Sequence, residues 1–340
     1  MKIGRRIVAS AVLLVALLPL RAVTRPTQSQ ESAPRASSSA ASVPRLEVVD
    51  LLKRGVAADR SGDRQRALAD YQRALALART IGDRALEAQS LENIGVVYAE
   101  LSELQQALGY YQQALEIFRA VGDRGGEAAT LSNVGHAYSS AGRRQEALRC
   151  FAQALPVQRA LRDTEGEANT LNKIAVTYDE LGDKKQALVY YGEALALSRR
   201  LGDRAEEAGI INNIGMAYND LGDRRRGLEY LQQALVMRRR AGDRDGEAVT
   251  LNNLGAIYGG RGERQRALDY YQQSISLRRA IGDRKGEALT LNNIGIIYYA
   301  AGDKRRALHL LRQALSIFDG IGDEHAASVR ADIKRIESEL

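Results

Sequence analysis

From residue 82 onward the chain repeats itself every 40 residues without an insertion, and that period constrains the fold more than any other feature. Gly82-Asp83, Gly122-Asp123, Gly202-Asp203, Gly242-Asp243, Gly282-Asp283 and Gly322-Asp323 mark the phase, and Arg162-Asp163 departs from it. A period of roughly 20 to 50 residues means a solenoid, propeller or array, in which each unit buries its apolar face against its neighbours. Within the unit that starts at Gly82, Leu91, Ile94, Gly95 and Tyr98 recur at i, i+3, i+4 and i+7. After Ser102 the set Ala107, Leu108, Tyr111, Ala114, Leu115 and Phe118 does the same. This spacing predicts two amphipathic helices per unit.

The helix ends are signalled as well. Gly82 can take the left-handed conformation that closes one helix, and Asp83 can cap the next. Glu87 and Glu127 fall early in the first helix, whereas Arg119, Arg199, Arg200 and Arg238 to Arg240 fall late in the second. Both placements suit the helix dipoles, so the arginine runs are expected to be solvated helix ends rather than anion sites. Gly95, Gly135, Gly215, Gly255 and Gly295, with Ala175 standing in once, are expected to let the partner helix approach.

The order L-x2-[IVL]-G-x2-Y, then Ala, an aromatic and Ala, resembles the tetratricopeptide repeat (TPR). Leu91, Ile94, Gly95, Tyr98, Ala107, Tyr111 and Ala114 carry it in one unit, and Leu291, Ile294, Gly295, Tyr298, Ala307, Leu311 and Ala314 in another. The family's first Trp is replaced by Leu or Ile and its closing Pro is absent. The 40-residue form with G-D-R-x-G-E-A is similar to that of kinesin light chain, the Partner of Inscuteable adaptors and exported bacterial TPR arrays often linked to caspase-like domains. The resemblance implies an all-α fold, a right-handed α-solenoid of seven helix pairs. The repeats fall at 48–81, 82–121, 122–161, 162–201, 202–241, 242–281 and 282–321, with a capping helix at 323–338, so that the solenoid occupies 47–340. The first repeat is degenerate at Arg54 and Ala58, as an end repeat can be.

Ahead of the array, Lys2, Arg5 and Arg6 precede an apolar run from Ile7 to Leu20. A cationic start and a run this short read as a signal peptide over 1–23, with an uncleaved N-terminal anchor as the alternative. Residues 24–46 are dominated by Ser, Ala, Pro, Thr and Gln and read as a disordered linker. Export to a bacterial periplasm or the extracellular space is the expected localisation. Residues 1–46 hold seven Lys or Arg and one acid, which leaves 42 basic and 41 acidic residues, a net of +1, for 47–340. The chain's formal charge of +7 is therefore no argument for nucleic-acid binding.

No catalytic constellation is legible. His136, His309 and His325 stand far apart, Cys150 occupies a position that is Tyr110, Tyr190, Tyr230 and Tyr270 elsewhere, and the Gly-Asp-Arg-x-Gly segments lack the strand, Lys and spacing of a phosphate loop. The expectation is a chain that is not an enzyme, with no cofactor and no metal. The informative polar residues are Asn93, Asn133, Asn213, Asn253 and Asn293, one per unit, preceded in later units by Asn172, Asn212, Asn252 and Asn292. The resemblance places that face in a concave groove. A carboxamide both donates and accepts, so one row reads equally well as a ladder for the peptide units of an extended ligand or as bonds to a neighbouring helix. Lys173 breaks the row, and His136 lies one unit earlier as a candidate neighbour. The function expected is a non-enzymatic protein–protein interaction scaffold holding a protein or peptide in the groove; the alternative is a regulatory arm for a separately encoded catalytic partner such as a caspase-like peptidase. No nucleic acid and no small-molecule cofactor is expected among the partners, and a membrane only through the N-terminal segment.

Overall fold

A computed structural model describes residues 38–340, and the side chains from 43 onward. The leader and residues 24–37 of the linker lie outside the described residues. Among those described there are fifteen helices and no strand. In chain order they are α1 (Ser38–Arg60), α2 (Arg64–Thr80), α3 (Arg84–Glu100), α4 (Leu104–Val121), α5 (Arg124–Ser140), α6 (Arg144–Ala160), α7 (Thr164–Glu180) and α8 (Lys184–Leu201). There follow α9 (Arg204–Asp220), α10 (Arg224–Ala241), α11 (Arg244–Gly260), α12 (Arg264–Ile281), α13 (Arg284–Ala300), α14 (Lys304–Ile321) and α15 (His325–Ser338). α1 takes in residues 38–46 of the Ser/Ala-rich stretch, with Pro44 inside it. The chain divides within α8 into an N-terminal unit ending at Leu197 and a C-terminal unit from Ser198 to Leu340.

The starts of the first helices follow from local chemistry. Asp123 caps α5 by accepting the Gly126 N–H at 2.9 Å, and Asp203, Asp243 and Asp283 do the same for α9, α11 and α13 at 3.0, 2.9 and 2.8 Å. Just before each cap the chain turns left-handed, at Gly122 with φ of 73° for example. Arg162, where the Gly-Asp phase fails, adopts that conformation nonetheless with φ of 54°. A Cβ disfavours this region by roughly 1 kcal/mol or more, so the turn is imposed on Arg162 by the repeat around it.

Within a repeat the two helices close around the predicted stripe. A Cβ on Gly95, Gly135 or Gly255 would meet the ring of Tyr111, Phe151 or Tyr271 at 2.7, 2.6 and 2.7 Å, so each glycine makes room for a buried aromatic on its partner helix. Leu231 and Leu311 fill the same place opposite Gly215 and Gly295. The tyrosines beside these rings, half-buried except for the buried Tyr258, stack in pairs, Tyr98 on Tyr110 and Tyr258 on Tyr270 at 5.4 Å, Tyr178 on Tyr190 and Tyr218 on Tyr230 at 5.5 Å. In the degenerate first repeat Ala58 and Asp70 replace such a pair, and Arg54 bonds Asp70 at 3.3 Å instead.

The junctions between repeats hold two features that the period alone does not reveal. Arg79, Arg119, Arg159, Arg199, Arg239 and Arg279 each bond a glutamate eight residues on, Glu87 through Glu287, at 2.6 to 3.0 Å. The late arginines are thus paired with the early acids rather than only solvated. Arg238 and Arg278 correct the solvated reading outright: they are 5% and 1% exposed and pair with Asp243 and Asp283. The second feature explains the inner Gly of G-D-R-x-G-E-A. Phe118, Gln158, Arg238 and Arg278 lie against Gly126, Gly166, Gly246 and Gly286, where an added Cβ would collide with them or with the neighbouring cap. Where the position is small, Ala78 or Ser198, the residue eight on is Leu86 or Glu206. Volume is conserved across the junction, as close packing requires.

Candidate functional site

The first helices also pack on one another from repeat to repeat, α3 on α5 and α5 on α7, α9 on α11 and α11 on α13. Their shared face is where the predicted asparagines stand. In the C-terminal unit these residues bond each other. Asn212 Oδ1 accepts from Asn253 Nδ2 at 3.1 Å and from the Thr250 hydroxyl at 3.2 Å, and Asn212 Nδ2 donates to Asn213 Oδ1 at 3.3 Å. One repeat on, Asn252 Oδ1 accepts from Asn293 Nδ2 at 3.1 Å and from Thr290 at 3.3 Å. Asn212, Asn213, Asn252 and Asn253 are buried; Asn292 and Asn293 are half-buried. Each rung therefore ties one first helix to the next, the second of the two uses read from the sequence.

The ladder has ends, and they are visible as unsatisfied atoms. Asn292 Oδ1 has no hydrogen-bond partner, because the positions that are Thr and Asn in a full repeat are Arg330 and Ile333 in the capping helix. Asn93 Nδ2 has none either, since its acceptor position one repeat earlier is Leu52.

In the N-terminal unit the same positions carry different chemistry. Glu92 stands where Asn212 stands later, buried, and accepts from Asn133 Nδ2 at 3.0 Å. Ser132 takes the next rung, accepting from the Thr170 hydroxyl at 3.0 Å. Asn172 is buried beside Lys173, which replaces the second Asn and is half-buried. Burial pushes the Glu92 carboxyl up to about 7, opposed by the bonds from Thr130 and Asn133 and by the charge of Lys173. His136 is driven the other way, down to about 3, by burial first and then by Lys173, so it is neutral at ordinary pH. Its Nδ1 is buried without a hydrogen-bond partner. Asn133, His136, Lys173 and Glu92 thus form one electrostatically connected cluster on three consecutive first helices. Glu92, Ser132 and the threonines at 130, 170, 250 and 290 were missed as members; the recurring T-L-x-N text was the signal for them.

Among the described residues no group of three or more His, Cys, Asp or Glu is arranged to hold a metal ion, and no helix is long and apolar enough to cross a membrane. Cys150 is half-buried, and burial raises its thiol.

The sequence model of the tetratricopeptide repeat matches residues 48–120, 126–200, 206–280 and 265–319. The chain belongs to the tetratricopeptide repeat family. Solved structures bear the fold out. BtubC (BKLC) from P. vanneervenii is 23% identical with a TM-score of 0.55, covering 65% of this chain and 93% of its own. The Rap conjugation gene regulator of plasmid pLS20, solved in complex with the Phr* peptide, is 17% identical with a TM-score of 0.61, covering 87% and 83%. A STAND protein with a tetratricopeptide repeat sensor from Pyrococcus horikoshii is 16% identical with a TM-score of 0.66, covering 89% of this chain and 50% of its own. At these identities the likeness is one of fold. No curated protein matches the sequence.

Proposed function

We propose that this TPR array is a non-enzymatic interaction scaffold that holds a protein or extended peptide against the first-helix face of its N-terminal unit. The observation that carries the reading is the replacement of ladder asparagines by Glu92 and Lys173, with His136 beside them on the helix between. Elsewhere on that face the carboxamides bond each other, whereas here a cation and a buried carboxyl replace two of them, beside a neutral imidazole with an unpartnered Nδ1 where other repeats carry an apolar residue or Ala. A buried polar group without a partner is costly, and a ligand that supplies one recovers that cost. Lys173 suits a carboxylate or carbonyl of the ligand, and His136 Nδ1 can meet an adjacent polar group. The peptide held by the pLS20 regulator supports the class of partner. The asparagines at 213, 253 and 293 act in this reading as the rigid frame of the face.

A photo-crosslinking residue at Val176, one turn from Lys173 on α7, tests the proposal in producing cells. A discrete adduct from position 176, and none from Gln153 on α6, is the expected result; adducts of the same mass from both positions, or none, would overturn it.

The second reading, a regulatory arm for a separately encoded catalytic partner, is favoured by the fold shared with a tetratricopeptide sensor. The identity of the crosslinked protein separates the two. We also propose export, on the strength of Lys2, Arg5, Arg6 and the run from Ile7 to Leu20. A reporter enzyme active only outside the cytoplasm, fused after residue 46, should be active and should lose activity with Leu14→Arg.

A further inference from the structure

The second helices of the C-terminal unit leave two grooves between them. One, of about 540 Å³, lies between α10 and α12 and is lined by Leu235, Arg239, Tyr258, Arg266 and Tyr270. The other, of about 550 Å³, lies between α12 and α14 and holds the residues one repeat on: Ile275, Arg279, Tyr298, Arg306 and Leu310. Their floors come from the packing stripes of α11 and α13, on the side of those helices away from the asparagine rungs. The two grooves are therefore one recurring surface, apolar below and cationic at the rim.

The Arg239/Arg279 position is arginine at every junction from Arg79 to Arg279, whereas the Arg266/Arg306 position is arginine throughout this unit and, in the N-terminal unit, at Arg66 alone. Arg239, Arg266, Arg279 and Arg306 have side chains 50%, 66%, 56% and 68% exposed. Arg266 and Arg306 pair with the part-exposed Glu263 and Asp303, and such pairs contribute little and rearrange readily. Arg239 and Arg279 pair at the junctions with Glu247 and the buried Glu287 and keep their outer guanidinium edges at the rim. His309 stands in the second groove where Asp269 stands in the first, and Asp269 lines both. The segments 220–226, 260–266 and 300–306 that open α10, α12 and α14 hold nine Lys or Arg against four acids. The matching segments of the N-terminal unit, 60–66, 100–106, 140–146 and 180–186, hold seven against six, with Gln106, Glu146 and Gln186 where Arg266 and Arg306 stand. Cations in the first turn of a helix oppose its dipole, so nothing in the fold calls for them there.

We propose that these grooves dock an acidic peptide segment of a partner protein, its apolar side chains on the floors and its carboxylates on the four rim arginines. Arginine accepts carboxylates through two parallel hydrogen bonds. The floors fit side chains rather than bases: Tyr258 is already covered by Tyr270 and by the Arg266 guanidinium at 5.7 Å, and Arg306 lies 5.6 Å from the Tyr298 ring.

The test uses the full chain and a fluorescein-labelled twelve-residue peptide alternating Glu with Leu. A Lys–Leu peptide, a single-stranded oligonucleotide and phosphatidylglycerol vesicles serve as competitors. The Glu–Leu peptide should bind, lose affinity with added salt, and bind at least tenfold more weakly to the Arg266→Gln/Arg306→Gln variant, whose circular dichroism should be unchanged. Leu310→Asp, which spares the arginines, should also weaken it. Lys173→Ala, on the other helix face, should not, which separates this surface from the proposed first-helix site. Absence of binding by the Glu–Leu peptide, equal affinity for the Lys–Leu peptide, stronger binding of the oligonucleotide or vesicles, or indifference to the double variant would each overturn the proposal.

Discussion

The two units are built from one repeat, yet their first-helix faces differ. In the C-terminal unit Asn212 and Asn252 each take two donors from the next repeat, and the face consumes its own hydrogen-bonding capacity. In the N-terminal unit Glu92, Ser132 and Lys173 sit at ladder positions, and His136 Nδ1 is left without a partner. The same contrast runs through the backbone: the non-glycine residues with positive φ, Ser102 and Arg162, both lie in the N-terminal unit. Regularity marks the positions that hold the array together.

The regular unit offers the largest expected effect. Gly246 lies against the buried Arg238 and the cap Asp243, so Gly246→Ala displaces an ion pair and overfills the junction. It should cost about 2 to 3 kcal/mol in urea denaturation, at the upper end for overpacking. Arg238→Ser, the residue that Ser198 supplies at an equivalent junction, should recover most of that loss in the double variant. Failure of the rescue would break the account of conserved volume.

In the irregular unit the comparable effect depends on pH. The Glu92 carboxyl, raised to about 7, binds its proton more tightly in the folded chain than in the unfolded one, where the ordinary value is 4.5. Its contribution to stability is complete below 4.5 and is lost as pH rises through 7, by linkage. Glu92→Gln keeps an acceptor for Asn133 and cannot ionise. Relative to wild type it should gain about 2 to 3 kcal/mol between pH 5 and pH 8, the size expected for a shift of this order. Taking the difference removes the opposite contribution of His136, which is lost as pH falls from 6.5 toward about 3. A difference that does not change with pH would show that Glu92 is not buried as described.

The ladder itself gives a smaller effect. Asn252→Ala strands the Asn293 amide while Thr290 keeps its bond to the Gly286 carbonyl at 2.9 Å. The loss should be about 1 kcal/mol, one part-buried hydrogen bond. Lys173→Ala should change the urea midpoint far less and abolish the crosslink from position 176. If the two variants exchange these phenotypes, the assignment of frame and site to the two units is reversed.

How much of this was legible beforehand follows from what periodicity can encode. The stripe of Leu91, Ile94, Gly95 and Tyr98 and the Gly-Asp punctuation specify the helix pairs, because each helix packs mainly on its sequence neighbours. The choice between ligand ladder and helix-to-helix bonds for Asn253 and Asn293 was not legible, since both need an outward carboxamide at one per repeat. The acceptors lie 41 residues away, and Glu92 and Ser132 do not look like asparagine. The burial of Arg238 and Arg278 was hidden for a similar reason. Arginine late in a helix suits the dipole whether or not it is solvated, and only the facing Gly246 and Gly286 betray the space it fills.

The smallest effect isolates the backbone difference. At the junctions of the C-terminal unit a glycine takes the left-handed turn, with φ of 67° at Gly242 and 74° at Gly282, whereas Arg162 takes it with φ of 54°. Its neighbours bond as they do elsewhere: the Arg162 N–H reaches the Arg159 carbonyl at 3.1 Å and the Asp163 N–H reaches the Gln158 carbonyl at 2.9 Å. Arg162→Gly therefore relieves the Cβ strain without losing a hydrogen bond, against the greater freedom glycine has in the unfolded chain. The strain of roughly 1 to 2 kcal/mol outweighs an entropy difference of roughly 0.5 to 1, so the variant should gain about 0.5 to 1 kcal/mol in urea denaturation. Gly242→Arg should lose a similar amount in the regular unit. A gain at both positions, or at neither, would show that the turn is not where the two units differ.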